Sequence, residues 1–379
     1  MTHVLIAGVS TRAAAESAGR AGYGVTAFDA YGDLDHHPSI HVVSLPRDLG
    51  VSFTAHAAAR AARAVSGDAV AYLSSFENHP RAVRTLAGGR ALWGNPPDVL
   101  RRVRDPFLLA ASLRQRGITV PHTLDSAPRA GRWLVKPRRS GGGHGVRRWN
   151  EHESVPTGCY LQEMIDGTPG SVVFVASSGR VVPLGITLQL VAEPAFGAGG
   201  YRYCGNLLPA RDDDMDSIVE PACALAAAVA EEFQLVGVNG IDFIAKDDVP
   251  YVIEVNPRWS ASMELVERAY GISVFGIHAA ACVSGTLPDF DLRAARHRAR
   301  VWGKAIVFAR GSAVAPDTRP WLDDRTVRDV PHPGESFAAG QPICTVLAES
   351  ADMVRCYDTL VARADSVYRQ LRDPAARER

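Results

Sequence analysis

Apolar positions in the first part of the chain concentrate in short runs, at residues 3–8, 25–28, 41–45 and 69–73, separated by alanine-rich or mixed stretches. Runs of strand length bounded by turn residues mark strands, and the alanine-rich segment at 13–21 reads as a helix. The order is strand, helix, strand, the βαβ unit of an open parallel sheet. Further helices are predicted at 54–65 and 81–87, and the proline pair after Asn95, in GNPPD, closes a first α/β unit spanning 1–97.

The pattern then changes. Residues 99–117 carry a helical spacing that ends on Gly117, and ITVP leads into a new strand. Strands are predicted at 132–136, 160–162, 171–176 and 181–187, ahead of a long alanine-rich helix at 218–233. Strands in succession with flanking helices imply an α+β unit, 98–300. Past Arg300, strands at 301–308 and 342–348 flank the proline-rich SAVAPDTRPW, and a polar helix follows, together a small β-rich closing element at 301–379. The fold class is α/β followed by α+β, with no internal repeat of solenoid period.

Composition narrows the partners. The 379 residues are 46% hydrophobic, enough for a sizeable core in more than one domain. The 41 basic and 41 acidic residues balance, so no global field points to nucleic acid or to an anionic membrane, and any anion site must be local. Cys159, Cys204, Cys223, Cys282, Cys344 and Cys356 are scattered without a CxxC pair, which argues against a zinc module or a disulfide framework. The opening apolar run lacks the length and basic flank of a signal segment, and no later run approaches a membrane span. A cytoplasmic enzyme is the expectation. GVSTR after the first strand lacks the spaced glycines of a dinucleotide fingerprint. Ser10, Thr11 and Arg12 there could hold a carboxylate or phosphate, or simply cap a helix.

Three segments carry chemistry. VGVNGIDFIAKDDVPYVIEVNPRWS, residues 236–260, reads as a hairpin with a turn of about four or five residues at 246–249. That pairing sets Asp242 opposite or diagonal to Glu254, while the strand period puts Glu254 and Asn256 on one face. The three oxygen ligands suit Mg²⁺ carrying a polyphosphate, and Arg258 is a candidate clamp for a transferring phosphoryl group; a solvated hairpin is the plain alternative. WLVKPRRSGGGHGV runs a strand ending in Lys136 into Ser140, Gly141, Gly142, Gly143, His144 and Gly145, a loop whose backbone N–H groups could approach phosphates. It is not a Walker loop, having no closing GK[ST]. YLQEMIDGTPG offers a strand, Gln162, Glu163, Met164 and Ile165, whose backbone could pair with an adenine edge.

In this order and spacing the three segments resemble the ATP-grasp superfamily: a lysine-bearing strand with a glycine-rich lid, a hinge strand of the form QExIxG, then DFI and IEVNPR. The resemblance implies a pre-ATP-grasp domain at the N-terminus and two grasping lobes from Val99 to about Ser284. It assigns Lys136 to nucleotide phosphates, residues 140–145 to the lid, Gln162 to Ile165 to the adenine pocket, and Asp242, Glu254 and Asn256 to Mg²⁺, with Mn²⁺ as a substitute. Arg258 would meet the γ-phosphate or an acyl phosphate. Two features depart from the family pattern. RDPF puts Pro106 where an early ATP-contacting lysine is common, leaving Arg102 or Arg104 to replace it, and TPGS carries no ribose-binding acid. PHPGESFAAGQPICTVLAES resembles the closing element of a branch distantly related to biotin-dependent carboxylases, with members linked to methanofuran and tetrahydromethanopterin.

What the resemblance implies is an ATP-dependent ligase. A small-molecule carboxylate would be activated as an acyl phosphate and captured by an amine, with glutamate or another amino acid as one substrate and a homodimer as the assembly. Two other readings stay open: a carboxylase-like enzyme that phosphorylates bicarbonate, and a nucleotide-binding regulatory module without turnover. Acceptor recognition would fall to Ser75, Glu77 and Asn78 in SSFENHP, to Arg202 and Tyr203, or to Ser260 and Ser262.

Overall fold

The computed structural model describes residues 1–372 apart from 129, 152 and 211–214, so the last residues of the expected closing element, 373–379, lie outside them. Five strands, β1 (His3–Ala7), β2 (Gly24–Asp29), β3 (His41–Ser44), β4 (Ala69–Tyr72) and β5 (Ala91–Trp93), form a parallel sheet in the order β3-β2-β1-β4-β5. Val4, Leu5, Ile6 and Ala7 are fully buried, which is why β1 reads as a solid apolar run. β5 is absent from the sequence-based expectation because its three residues are too few to show a period. All five strands point one way, so the turns that follow β1 and β4 emerge at one edge of the sheet.

The helix expected at 99–117 is two helices, Pro97–Val103 and Pro106–Gln115. Pro106 cannot donate to a preceding turn and instead takes the first position of a new helix. Its cap, the Asp105 carboxylate, accepts from the N–H groups of Phe107 (2.9 Å) and Leu108 (3.1 Å). The break leaves Arg104 at the corner between the two helices.

Four strands, β6 (Thr123–Leu124), β7 (Trp133–Pro137), β8 (Arg147–Arg148) and β9 (Cys159–Glu163), form a small antiparallel sheet ordered β6-β9-β7-β8. The rest are β10 (Thr168–Ser177), β11 (Arg180–Val191), β12 (Tyr203–Leu208), β13 (Gly237–Lys246), β14 (Val249–Asn256), β15 (Val301–Phe308), β16 (Ala313–Val314), β17 (Val327–Arg328), β18 (Ser336–Phe337) and β19 (Pro342–Ser350). Except for the β16-β18 pair, they build one eight-stranded sheet, ordered β14-β13-β10-β11-β12-β15-β19-β17. The closing segment therefore adds three strands to the large sheet and keeps only the short β16-β18 pair to itself. Its long strand β15 pairs with β12, whose outer backbone groups would otherwise lie unpaired.

β10 sits in the interior of that sheet. Val172, Phe174 and Ala176 pack with the helix Asp216–Phe233, while Val173 and Val175 cluster with Met263, Val266 and Phe275 from helices Ser262–Tyr270 and Val274–Ser284. The strand period of two thus gives an uninterrupted apolar run, because both faces are covered. The turn between β13 and β14 is shorter than expected: only Asp247 and Asp248 lie outside the strands, both with left-handed φ (51° and 60°). Aspartate tolerates that conformation, and two such residues in succession match the twist of a tight hairpin.

Candidate active site

The hairpin register sets Asp242 directly opposite Glu254 and Gly240 opposite Asn256, with a bulge immediately after Asp242. A bulge turns side chains out of the regular pleat and leaves one residue without a ladder partner. Here that residue is Ile253, whose carbonyl accepts from Gln162 Nε2 on β9 (3.3 Å). The Gln162 Oε1 in turn accepts from Lys136 Nζ on β7 (3.0 Å), so the bulge ties the acidic hairpin to the lysine strand. Asn256 Nδ2 donates to Asp242 Oδ2 (2.9 Å), which holds the amide oxygen away from that carboxylate.

These residues share one cavity of about 730 Å³ between the small sheet, the hairpin edge of the large sheet and the β1 and β4 turns. Its electrostatics are uneven. Burial and the neighbouring Glu254 push the Asp242 carboxyl up to about 7, against hydrogen bonds from Ser171 and Asn256 and the nearby Arg258. Glu254 goes the other way: burial would raise it, but Arg104, Lys136 and Arg258 together hold it below the ordinary glutamate value. Its side chain keeps 26% exposure, on the cavity side. Two carboxylates face to face, one of them reluctant to ionise, form a pair that a cation between them would relieve. Among the described residues no group of three or more His, Cys, Asp or Glu could hold a metal ion. The donor set of two carboxylates and one amide oxygen fits Mg²⁺, which takes its remaining positions from phosphate and water.

Arg104 settles which arginine faces the site. From its corner it donates to Glu254 Oε2 (3.3 Å), Val255 O (2.9 Å), Asn78 Oδ1 (3.1 Å) and Ser140 O (3.0 Å). Arg102 turns outward to Glu232 O and lies over the Phe233 ring. Arg258 donates to Glu77 Oε1 (2.7 Å), Asn256 Oδ1 (3.1 Å) and Trp259 O (2.9 Å). The loop carrying Arg258 is fixed by residues the sequence did not single out. Tyr72 Oη (3.3 Å) and Asn95 Nδ2 (3.1 Å) both donate to Pro257 O, and the Asn95 carbonyl oxygen of the side chain accepts from Val236 N (2.9 Å). GNPPD read only as a chain break, yet Asn95 is buried at 1% exposure and works as a clamp.

The glycine loop forms part of the cavity wall. Gly142 O accepts from Tyr203 N (3.1 Å), and a Cβ on Gly143 would stand 1.8 Å from Tyr201 O. Only a glycine, here with φ of +74°, lets the loop dock this closely. Gly141, Gly142 and Gly143 line the cavity together with Ser140, whereas His144 and Gly145 are exposed and outside its lining. Glu163, Met164 and Ile165 also line it. The N–H groups of Glu163 and Met164 already bond His122 O and Arg132 O (2.8 Å each), so those two donors are not open to a base edge. The loop placing Arg202 turns it away: it donates to Gly340 O and covers the Phe308 ring, while Tyr203 does line the cavity. Thr11 bonds Asp29 (2.7 Å) and Arg12 is fully buried among carboxylates, so of the first turn only Ser10 presents an unpaired hydroxyl candidate to the cavity wall. Ser75, Glu77, Asn78, Ser260 and Ser262 line it as well.

Comparison with known proteins follows the same outline. A family model described as an ATP-grasp domain matches residues 103–262. An uncharacterised protein of Methanocaldococcus jannaschii is 26% identical over 147 residues, 39% of this chain and 34% of that one. The chain thus matches about a third of that curated relative's length. An L-amino acid ligase from Bacillus licheniformis superposes with a TM-score of 0.69 at 19% identity, covering 97% of this chain and 98% of the ligase. A biotin carboxylase from Campylobacter jejuni, in complex with βγ-ATP, gives 0.73 at 14% identity, covering 99% and 96%. Both share this fold.

Proposed function

Residues 103–262 are an ATP-grasp domain, and from that premise we propose that the protein is an ATP-dependent carboxylate–amine ligase working through an acyl phosphate, with release of ADP and phosphate. The observation that carries this reading is the meeting of Asp242, Glu254 and Asn256 with Lys136, Arg104 and Arg258 in one cavity under a glycine loop. A carboxylate is a poor electrophile, and phosphorylation gives it a leaving group. The charge that moves during transfer must be met by fixed cations in a site that excludes water.

In this reading Lys136 and Arg104 hold the nucleotide phosphates, and Arg104 replaces the early lysine. The loop at 140–145 covers them, Gln162 to Ile165 line the base pocket, and Arg258 meets the phosphoryl group as it passes to the acid. Asp242, Glu254 and Asn256 would hold Mg²⁺, for which Mn²⁺ is a fair substitute with the same oxygen donors. The bound metal would supply charge neutralisation at the β and γ oxygens. The proposed division of labour gives the second substrate to 1–97 and the region between the lobes, and the nucleotide to 98–300.

An amino acid, glutamate foremost, is the proposed small-molecule partner, with a one-carbon cofactor as the setting, in the cytoplasm and as a homodimer. The similarity to an L-amino acid ligase along nearly the whole chain supports the amino-acid part. Similarity to biotin carboxylase favours a second reading in which bicarbonate is the acid. Among the described residues no helix is long and apolar enough to cross a membrane.

The test is to incubate the purified protein with ATP and Mg²⁺ against paired acids and amines, glutamate and bicarbonate included, following ADP and product mass. ADP that appears only with an acid and an amine together, with the mass of an amide, supports ligation. ADP driven by bicarbonate alone supports the second reading, and ADP release that none of the tested acids raises above background, despite tight Mg-ATP binding, favours the module without turnover over the ligase.

A further inference from the structure

In the cavity wall one buried carboxylate oxygen is unaccounted for, besides the Nε atoms of Arg104 and Arg258. Glu77, on the short turn Phe76–Asn78 that follows β4, is 1% exposed and lines the cavity. Its Oε1 accepts from Arg258 Nη2 (2.7 Å), but its Oε2 is buried and has no hydrogen-bond partner. A carboxylate oxygen left in that state costs free energy, which a ligand carrying a donor would recover. Glu77 is also connected to the chemistry: Arg258 donates to Asn256 Oδ1 (3.1 Å), and Asn256 donates to Asp242 (2.9 Å). The free oxygen thus lies one residue beyond the arginine assigned to the phosphoryl group.

Two other charges in the wall are already matched. Lys304 and Asp329 line the cavity, yet Lys304 is bonded to Glu264 (2.8 Å) and Asp329 to Arg12 (2.8 Å). The chemistry that suits an unmatched acceptor oxygen beside an acyl phosphate is an N–H. We propose that Glu77 is a catalytic residue that binds the acceptor amine and takes its proton, an inference that rests on the ligase reading above.

The amine enters as the free base and donates one N–H to Glu77 Oε2. As its lone pair forms the C–N bond, the nitrogen becomes positive and strongly acidic. Its proton passes to Glu77, the acyl C–O bond to phosphorus-bearing oxygen breaks, and Glu77 hands the proton to the departing phosphate, which leaves as hydrogenphosphate. Nothing is oxidised or reduced, and the carboxylate is regenerated. Arg258, which touches both Glu77 and the phosphate-side amide of Asn256, keeps the two ends of this proton path together.

The test separates the two half-reactions. The proteinogenic amino acids serve as both acids and amines, and acyl-phosphate formation is read without amine turnover, as acid-dependent scrambling of a heavy-oxygen label at the β–γ bridge of ATP. Glu77→Gln is expected to lower amide formation by about 10²-fold or more, the usual worth of a positioned base, and to lower label scrambling at least about tenfold less than that. Glu77→Asp, which keeps the carboxylate, should recover part of the amide rate, so the proposal stays testable if Glu77→Gln folds poorly. Amide formation by Glu77→Gln near the wild-type rate overturns the proposal. So does an equal loss of scrambling and amide formation, which would leave Glu77 as a mere support for Arg258. If the wild type scrambles label with no acid, the ligase reading itself fails and takes this proposal with it.

Discussion

Two buried charge clusters border the same cavity, and they differ in what they leave unsatisfied. Around Arg12 the central guanidinium is matched, although Arg268 Nε in the same cluster is buried without a partner and burial still pushes the Asp33 and Asp35 carboxyls up. The guanidinium, with no exposure, bonds Asp329 (2.8 Å), Glu264 (3.2 Å) and Glu16 (3.3 Å), and Glu264 also accepts from Lys304 (2.8 Å) and Arg268 (3.1 Å). Burial would raise the Glu264 carboxyl, but Arg12, Lys304 and Arg268 hold it well below the ordinary glutamate value. Around Asp242 the account stays open. Its carboxyl is pushed up to about 7, and Glu77 Oε2, Arg258 Nε and Arg104 Nε are buried without partners. A cluster whose central charge is matched serves the fold, here by stapling helix Arg12–Arg20 to helix Ser262–Tyr270 and to the strand bearing Lys304. A cluster whose central charge is not matched is built around something the protein does not supply.

The largest expected effect breaks the closed cluster. Arg12→Leu leaves Glu264 and Asp329 buried with fewer counter-charges, which should cost about 3–5 kcal/mol of stability. A melting midpoint near the wild-type value would show that the cluster is not a staple. The open cluster should respond more in activity than in stability. Glu254→Ala is expected to cut ATP turnover at least about 10²-fold while lowering the melting midpoint less than Arg12→Leu does, since the lost pairing with Arg104 and Lys136 is set against relief of the repulsion at Asp242. Turnover at the wild-type level by purified Glu254→Ala removes the assigned metal face.

A smaller effect distinguishes the two by pH. In the metal-free protein the Asp242 value near 7 lies above its ordinary 3.8, so the native state binds that proton more tightly than the unfolded chain. The stability this contributes is present below about pH 4 and is lost as pH rises toward and through 7. Metal-free melting midpoints should therefore drift down across that window in the wild type, the drift should shrink in Asp242→Asn, and Mg²⁺ should reduce it. The same slope in the variant would assign the titration to another group. The smallest effect concerns the lid: Gly143→Ala puts a methyl 1.8 Å from Tyr201 O and should raise the KM for ATP, whereas Gly141→Ala, with nothing within 4 Å of the added carbon, should not. Equal KM values for both would mean that the docked loop is irrelevant to nucleotide binding.

The open cluster was the legible one. Asp242, Glu254, Asn256 and Arg258 lie within a single hairpin, so local periodicity is enough to bring them together. Even there the tight turn at Asp247 and Asp248 and the bulge after Asp242 escaped notice, because a two-residue turn and a register shift leave the apolar pattern almost unchanged. The Arg12 cluster was invisible for the converse reason: its members are separated by up to 317 positions, and each alone is an ordinary surface charge. Glu77 and Asn95 stand between these cases. Glu77 stands out in SSFENHP as an acceptor candidate while Asn95 reads as a chain break, and only the tertiary fold reveals their bonds to Arg258 and Pro257. The long helix at 99–117 failed on a single residue, Pro106, whose preference for the first position of a helix outweighs the period that runs across it.

The central claim is that the unsatisfied charge around Asp242 is completed by a metal–nucleotide pair. Calorimetric titration of ATP into the wild type and into Asp242→Asn, each with and without Mg²⁺, tests it most directly. The account predicts that Mg²⁺ tightens ATP binding to the wild type by at least about tenfold, roughly the 1.4 kcal/mol that one such factor represents, and that Asp242→Asn loses this dependence. ATP binding to the wild type that is indifferent to Mg²⁺, or a variant that keeps the full Mg²⁺ effect, would contradict it.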